Sequence, residues 1–333
     1  MRREPFPVQA LRDQPPDQRR RRLERSSAAI FNEQARAYAR QVLEDVASGG
    51  DEAVAAYTAR WDGVTLRPDE LEVPRDAFDA ARRTLDGGLL HALESAIARS
   101  RRYNQWLRPP SMMLEELEPG ITVGVRYTAC RSAGLYVPSG KGTFPSMLIA
   151  LGVPAAVAGV ERVVVVVPPR PDGTVDPAVL VVADLLGIRH LIRCNGAAGV
   201  AALAVGTERI PRTDLVVGPG NPVIAAIQLA AAPFGTRPLV MLGPTESVVL
   251  ADDSADPDRL ALDLLNEAEH GTDSAAVLLA AGAGLAEAVA ERLPGYLDRL
   301  PQPRRTYARA ALSDLGGLFA IADLDEGIEW INQ

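Results

Sequence analysis

Five consecutive valines at 163–167, after Arg162 and before Pro168, leave few folds open to this chain. A short β-branched run with no polar alternation reads as a strand covered on both faces. That is the mark of a parallel sheet between helices. The surrounding sequence keeps the same rhythm. The spacing predicts helices over 145–159, 177–186, 197–206 and 222–232, and strands over 133–137, 162–167, 190–193, 214–217 and 238–241. Short strands alternating with helices of this length imply right-handed βαβ units. A second α/β set follows: strands at 247–251, 275–279 and 318–321, with a helix closing at His270, one reaching Leu293 and a last one through Trp330. Upstream lie helices over 27–48 and 52–61, separated by Gly49-Gly50, then a strand near 71–73, helices over 75–85 and 88–106, and an alternating strand over 121–127. Two parallel-sheet units of Rossmann-like α/β type follow from this pattern, the second inserted in the first. The boundaries predicted are an N-terminal arm over 1–24, a first domain of 25–136 plus 246–333, and a second domain of 137–245.

Composition enters mainly by exclusion. At 333 residues the chain is long for a single core. A net charge of −8 argues against nucleic acid as a partner. The longest apolar stretch, 147–160, is broken by Gly152, Pro154 and Gly159 and is too short for a bilayer, so no membrane association is expected. Cys130 and Cys194 form no disulfide frame and the N-terminus has no apolar secretory core, so a cytoplasmic location is expected.

Three stretches could carry chemistry. Glu267 and His270 are three apart near a predicted helix end, with Gly271 behind them. A carboxylate and an imidazole on one helix face can share a divalent metal such as zinc, although a zinc site needs three or four ligands. Taken alone, the spacing is met more often at a solvated helix end. Gly140-Lys141-Gly142-Thr143 is not a P-loop, because the upstream Gly134 is one residue too far from Lys141 and Gly142 stands where Ser or Thr belongs. Gly218-Pro219-Gly220-Asn221 follows a parallel strand, where open α/β sheets place ligands, and Asn221 offers an amide donor and acceptor there.

Together these stretches resemble the histidinol dehydrogenase family. The resemblance runs from about Val42 to the end. It includes Gly49-Gly50-Asp51-Glu52-Ala53, Gly134-Leu135-Tyr136-Val137-Pro138, Leu151-Gly152-Val153-Pro154-Ala155 and Gly206-Thr207-Glu208. It is strongest at Gly218-Pro219-Gly220-Asn221, Gly243-Pro244-Thr245-Glu246 and Ala268-Glu269-His270-Gly271-Thr272-Asp273-Ser274. The resemblance implies NAD-dependent, zinc-assisted oxidation of an amino alcohol, L-histidinol, through an aldehyde to the amino acid in histidine biosynthesis, by a homodimer. Its NAD contacts fall on Tyr136 and Asn221, and a third, a Gln in the family, falls on Ala198. The substrate-contacting Ser falls on Thr245. The zinc-binding Gln and His fall on Glu267 and His270, which would also touch substrate. A carboxylate at Glu267 would hold zinc more tightly and leave it less electrophilic than the family's amide.

The family's Glu-His proton-transfer pair and its remaining zinc ligands correspond to positions beyond Gln333, so no catalytic residue is expected within 1–333. His91 reads as a helix-face residue and His190 as the start of a buried strand. Three readings stay open: a histidinol dehydrogenase, a divergent paralogue that oxidises another alcohol, and a truncated homologue that only binds or assembles.

Overall fold

The computed structural model of the chain describes residues 6–15, 33–139, 142–242 and 246–332. It opens with a three-residue strand, β1 (Val8–Ala10). The long helix α1 (Glu33–Asp62) is interrupted at Gly50 (φ 55°, ψ −141°), so the two helices expected around Gly49-Gly50 run end to end. Next come α2 (Arg75–Thr84), α3 (Gly87–Leu107) and an antiparallel hairpin of β2 (Met112–Glu118) and β3 (Ile121–Arg126). The regular alternation then begins: β4 (Ser132–Tyr136), α4 (Pro145–Ala158), β5 (Arg162–Val167), α5 (Pro177–Leu185) and β6 (His190–Arg193). It continues through α6 (Gly196–Val205), β7 (Leu215–Gly220), α7 (Pro222–Ala230) and β8 (Arg237–Leu242).

These last five strands form one parallel sheet in the order β6-β5-β4-β7-β8. The valine run lies inside it and is buried on both faces. Val164 and Val166 join the core built with α1, α6 and α7, whereas Val165 and Val167 join the core built with α2, α3, α4 and α5. An all-valine strand suits that environment, because neither face ever meets water.

The rest of the chain makes a second, separate sheet. Its elements are β9 (Glu246–Ala251), α8 (Pro257–Ala268), β10 (Ala275–Ala281), α9 (Ala283–Leu297), α10 (Arg304–Ala310), β11 (Gly317–Ile321) and α11 (Leu324–Ile331). The strand order is β1-β11-β10-β9, all parallel. Helices α8, α9 and α10 cover one face; Trp330 of α11 packs with Phe319 and Leu11 on the other. Among the described residues no helix is long and apolar enough to cross a membrane.

Packing divides the chain into 31–242 and a unit made of 1–30 with 243–333, so one unit is indeed inserted in the other. The boundaries differ from those read in the sequence. Residues 31–136 go with the inserted sheet, because α1 packs its apolar side on α6 and α7 and because β4 is the sheet's central strand. A cut at 136/137 would remove that strand. Part of the expected N-terminal arm is also structural, since Val8 pairs with Leu318 at the edge of the second sheet. The strand expected near 71–73 shrinks to a single bridge between Glu72 and Ile192. The strand β2 went unforeseen, since Met-Met-Leu-Glu-Glu-Leu-Glu has no two-residue alternation to betray it.

Candidate functional site

In the five-stranded sheet the chain lays down β4, β5 and β6 in one direction, then crosses back to place β7 on the other side of β4. The helices that follow β4 and β7 therefore pack on opposite faces of the sheet, and such a reversal opens a crevice where α/β sheets bind ligands. A cavity of about 760 Å3 lies there. Tyr136 from β4, Pro168 to Arg170 after β5, Asn195 after β6 and Asn221 after β7 line it.

Three helices begin at this rim, each with a side-chain cap. Asp176 accepts from the Ala178 amide (2.8 Å), Asn195 from Ala197 (3.0 Å), and Asn221 from Val223 and Ile224 (both 3.1 Å). Capped helix starts turn their positive dipole ends and spare amides toward the crevice, an arrangement suited to anions. The cap also alters the role of Asn221 foreseen in the sequence. Its Oδ1 is engaged by the helix, so its Nδ2 is the group available to a ligand.

Tyr136 is almost wholly buried, with Gly196 against its ring and Gly218 against its backbone. A Cβ on Gly196 would come within 2.7 Å of the ring, and one on Gly218 (φ 152°) within 2.2 Å of the Tyr136 carbonyl oxygen. Gly218-Pro219-Gly220, expected as a turn, is the end of β7 and pairs with β8, and only glycine lets Gly218 lie this close to β4. The buried Gln228 fixes the same strand end, its Nε2 donating to the Gly218 carbonyl at 2.9 Å. Burial, and secondarily the charge of Asp62, push the Tyr136 phenol well above its ordinary pKa, so it stays protonated.

Sequence reasoning missed part of this wall. Asp62, at the end of α1, accepts from Asn195 Nδ2 at 3.1 Å; Thr58 Oγ1 accepts from the Asn195 amide at 2.9 Å. Burial raises the Asp62 carboxyl above its ordinary value, and the Asn195 bond works against that shift. Trp61 and Tyr38, edge-on with centroids 6.4 Å apart, also line the cavity, and Arg170 is the one cationic side chain doing so among the described residues. Asn195 was findable, being an amide directly before Gly196 at a strand end, like Asn221. Asp62 carried no local signal.

Of the residues singled out beforehand, Tyr136 and Asn221 meet in this cavity. Ala198 does not line it; it is fully buried beneath in α6 and brings no polar side-chain atom. Thr245 and Lys141 lie outside the described residues. Glu267 and His270 belong to the other unit. Helix α8 ends at Ala268, two residues before His270, so the pair does not share a helix face as expected. Instead His270 sits in the following turn, its Nδ1 3.1 Å from the Glu267 carbonyl oxygen. With Nδ1 as donor, the ring's lone pair is on Nε2, the tautomer that backbone carbonyls commonly fix in metal-ligating histidines. Asn266 Nδ2 donates to Glu267 Oε1 at 3.0 Å. Among the described residues no three His, Cys, Asp or Glu side chains converge on a possible metal position. His91 is exposed on α3, and His190 is half-buried beside Glu72 (Nδ1–Oε1 2.9 Å).

Comparison with known proteins identifies the family. The family model for histidinol dehydrogenase matches residues 25–333. The chain belongs to the histidinol dehydrogenase family. It is 35% identical over 326 residues to a histidinol dehydrogenase homologue of Colwellia psychrerythraea, covering 98% of this chain and 72% of that protein. It is 39% identical over 311 residues to histidinol dehydrogenase of Bacillus subtilis, covering 93% and 71%. The crystal structure of histidinol dehydrogenase from Elizabethkingia anophelis superposes with a TM-score of 0.89 at 26% identity, covering 99% of this chain and 74% of that one. By family, then, the chain is an oxidoreductase of histidine biosynthesis.

Proposed function

We propose that the 760 Å3 cavity binds NAD and that the protein oxidises an amino alcohol, L-histidinol, through the aldehyde to the amino acid, acting as a homodimer in the cytoplasm. The observation that carries the NAD reading is the meeting of Tyr136 and Asn221 in one crevice at the strand-order reversal. The cavity has the size of a cofactor site. Its capped helix starts and Arg170 suit a pyrophosphate; the Asp62 carboxylate suits ribose hydroxyls. When bound, NAD supplies the hydride acceptor. The chain's own part is to orient it: Asn221 Nδ2 donates, the protonated Tyr136 packs against Gly196, and the flanking prolines and aromatics exclude water.

Zinc belongs to this reading through Glu267 and His270, which offer two of the three or four donors such a site needs. A second reading, oxidation of a different alcohol, is favoured by two positions. Ala198 is buried without a polar side chain where the family has Gln, and Glu267 is a carboxylate where the family has an amide.

Titration of the Trp61 fluorescence with NAD tests the site. Saturable quenching is expected, weakened at least about tenfold in Asn221→Ala by loss of the Nδ2 donor together with the cap of α7. NADH formation with L-histidinol, set against other amino alcohols, then separates the two substrates. Absence of NAD binding would remove the proposal.

A further inference from the structure

The hairpin is unlike the rest of its unit. In β3, Ile121, Val123 and Val125 alternate with Thr122, Gly124 and Arg126, the pattern of a strand with one face covered. Met113 stands opposite Val125 on that same face. Yet every residue of both strands is exposed. A lone two-stranded hairpin is marginally stable in water at best. Just before it, at the end of α3, Trp106 is 78% exposed beside Tyr103. Among the described residues, eleven exposed large hydrophobic side chains fall within 103–127. At roughly 100 Å2 for each half-exposed side chain, they present on the order of 1000 Å2. They are divided between the two faces of the hairpin, since Met112 and Leu114 stand opposite Arg126 and Gly124. The face of Met113, Ile121, Val123 and Val125 alone is within the about 300–600 Å2 of a monomer's largest, often functional, patch.

Charge indicates what covers it. The hairpin is acidic: Glu116 and Glu118 flank Leu117, which is 62% exposed at the irregular step of the pairing. The outer side of α3 is its complement. Arg101 and Arg102 border a groove of about 300 Å3 floored by Ile97, Ala98 and Leu185, with Glu94 the one acid lining it. Among the described residues, Glu116, Glu118, Arg101 and Arg102 form no ion pair. An apolar residue between two acids and an apolar groove between two bases thus lie on one chain.

We propose that the hairpin of one copy docks in the α3 groove of a second copy of this chain. Leu117 meets the apolar floor, Glu116 and Glu118 meet Arg101 and Arg102, and the reciprocal contact completes a two-fold dimer. This names the surface for the homodimer suggested above and does not depend on the dinucleotide reading.

Light-scattering mass measurement on the 333-residue chain tests it. The wild-type chain is expected at twice 35.5 kDa. The reversals R101E/R102E and E116R/E118R should each weaken association at least about tenfold while leaving thermal unfolding of the monomer and NAD titration unchanged. Mixing the two variants should restore dimers, because each contact then joins opposite charges. A monomeric wild type overturns both the dimer and the surface. A dimer that neither reversal disturbs, or that mixing fails to restore, overturns the surface and leaves the dimer standing.

Discussion

Asn195 Nδ2 donates to Asp62 Oδ2 at 3.1 Å while Oδ1 of the same side chain caps α6 at the Ala197 amide (3.0 Å). One amide thus ties the end of α1 to the start of α6 in the cavity wall. Asn195→Ala removes both bonds and leaves the half-buried carboxylate without its donor. Urea unfolding should show a loss of about 1–2 kcal/mol, and NAD binding should weaken as the wall loosens. Unchanged stability would mean that the cap carries no weight.

Asp62 itself acts against stability at neutral pH. Burial raises its folded value above the ordinary 3.8. The folded chain then binds a proton more readily than the unfolded one, so stability falls as pH rises from 3.8 through that raised value, and the deficit persists above it. Asp62→Asn should be more stable than wild type at neutral pH, with the gain vanishing in acid. A gain independent of pH would show that packing, not charge, is responsible.

Glu208 has the opposite sign. Its carboxylate accepts from the Asp51 amide at 2.9 Å, the bond that closes the break in α1 at Gly50. That bond holds the carboxyl below its ordinary 4.5. Its contribution is therefore present above 4.5 and lost as pH falls through the lowered folded value. Glu208→Gln should be less stable than wild type at neutral pH, with the gap closing in acid. A constant gap between the two unfolding curves would contradict this.

Gly218→Ala should damage the site more than the fold. The new Cβ would press on the Tyr136 carbonyl and the backbone there has φ 152°. The end of β7 must shift, at a cost of about 1–3 kcal/mol. NAD affinity should fall further than in Gly159→Ala, a positive-φ glycine outside the cavity lining with open space around its Cβ. Equal effects in the two variants would show that the strain is not felt at the cavity.

For metal, two donors predict weak binding. Zinc added to the chain should be lost on dialysis against metal-free buffer, with or without His270→Ala. Zinc retained by the wild type and lost from the variant would reveal further ligands beside Glu267 and His270.

The sequence alone determined the sheet, because burial on both faces leaves a direct imprint: 163–167 can only be apolar. It likewise marked the glycines at 218 and 220, since close backbone approach at Gly218 admits no other residue, but read as a turn what the structure makes the end of β7. Asn221 stood out at the end of a strand that periodicity marks, whereas Tyr136 entered only through the family resemblance. Domain membership was not legible. The apolar stripe of α1 states that the helix is covered, but not that α6 and α7 cover it rather than the second sheet. Asp62 was invisible because its partner, Asn195, is 133 positions away, and no local pattern encodes that distance. The alternation in β3 marks one apolar face; the tertiary structure leaves that face in water. A period reports that burial is needed, and only the folded chain shows whether its own elements provide it.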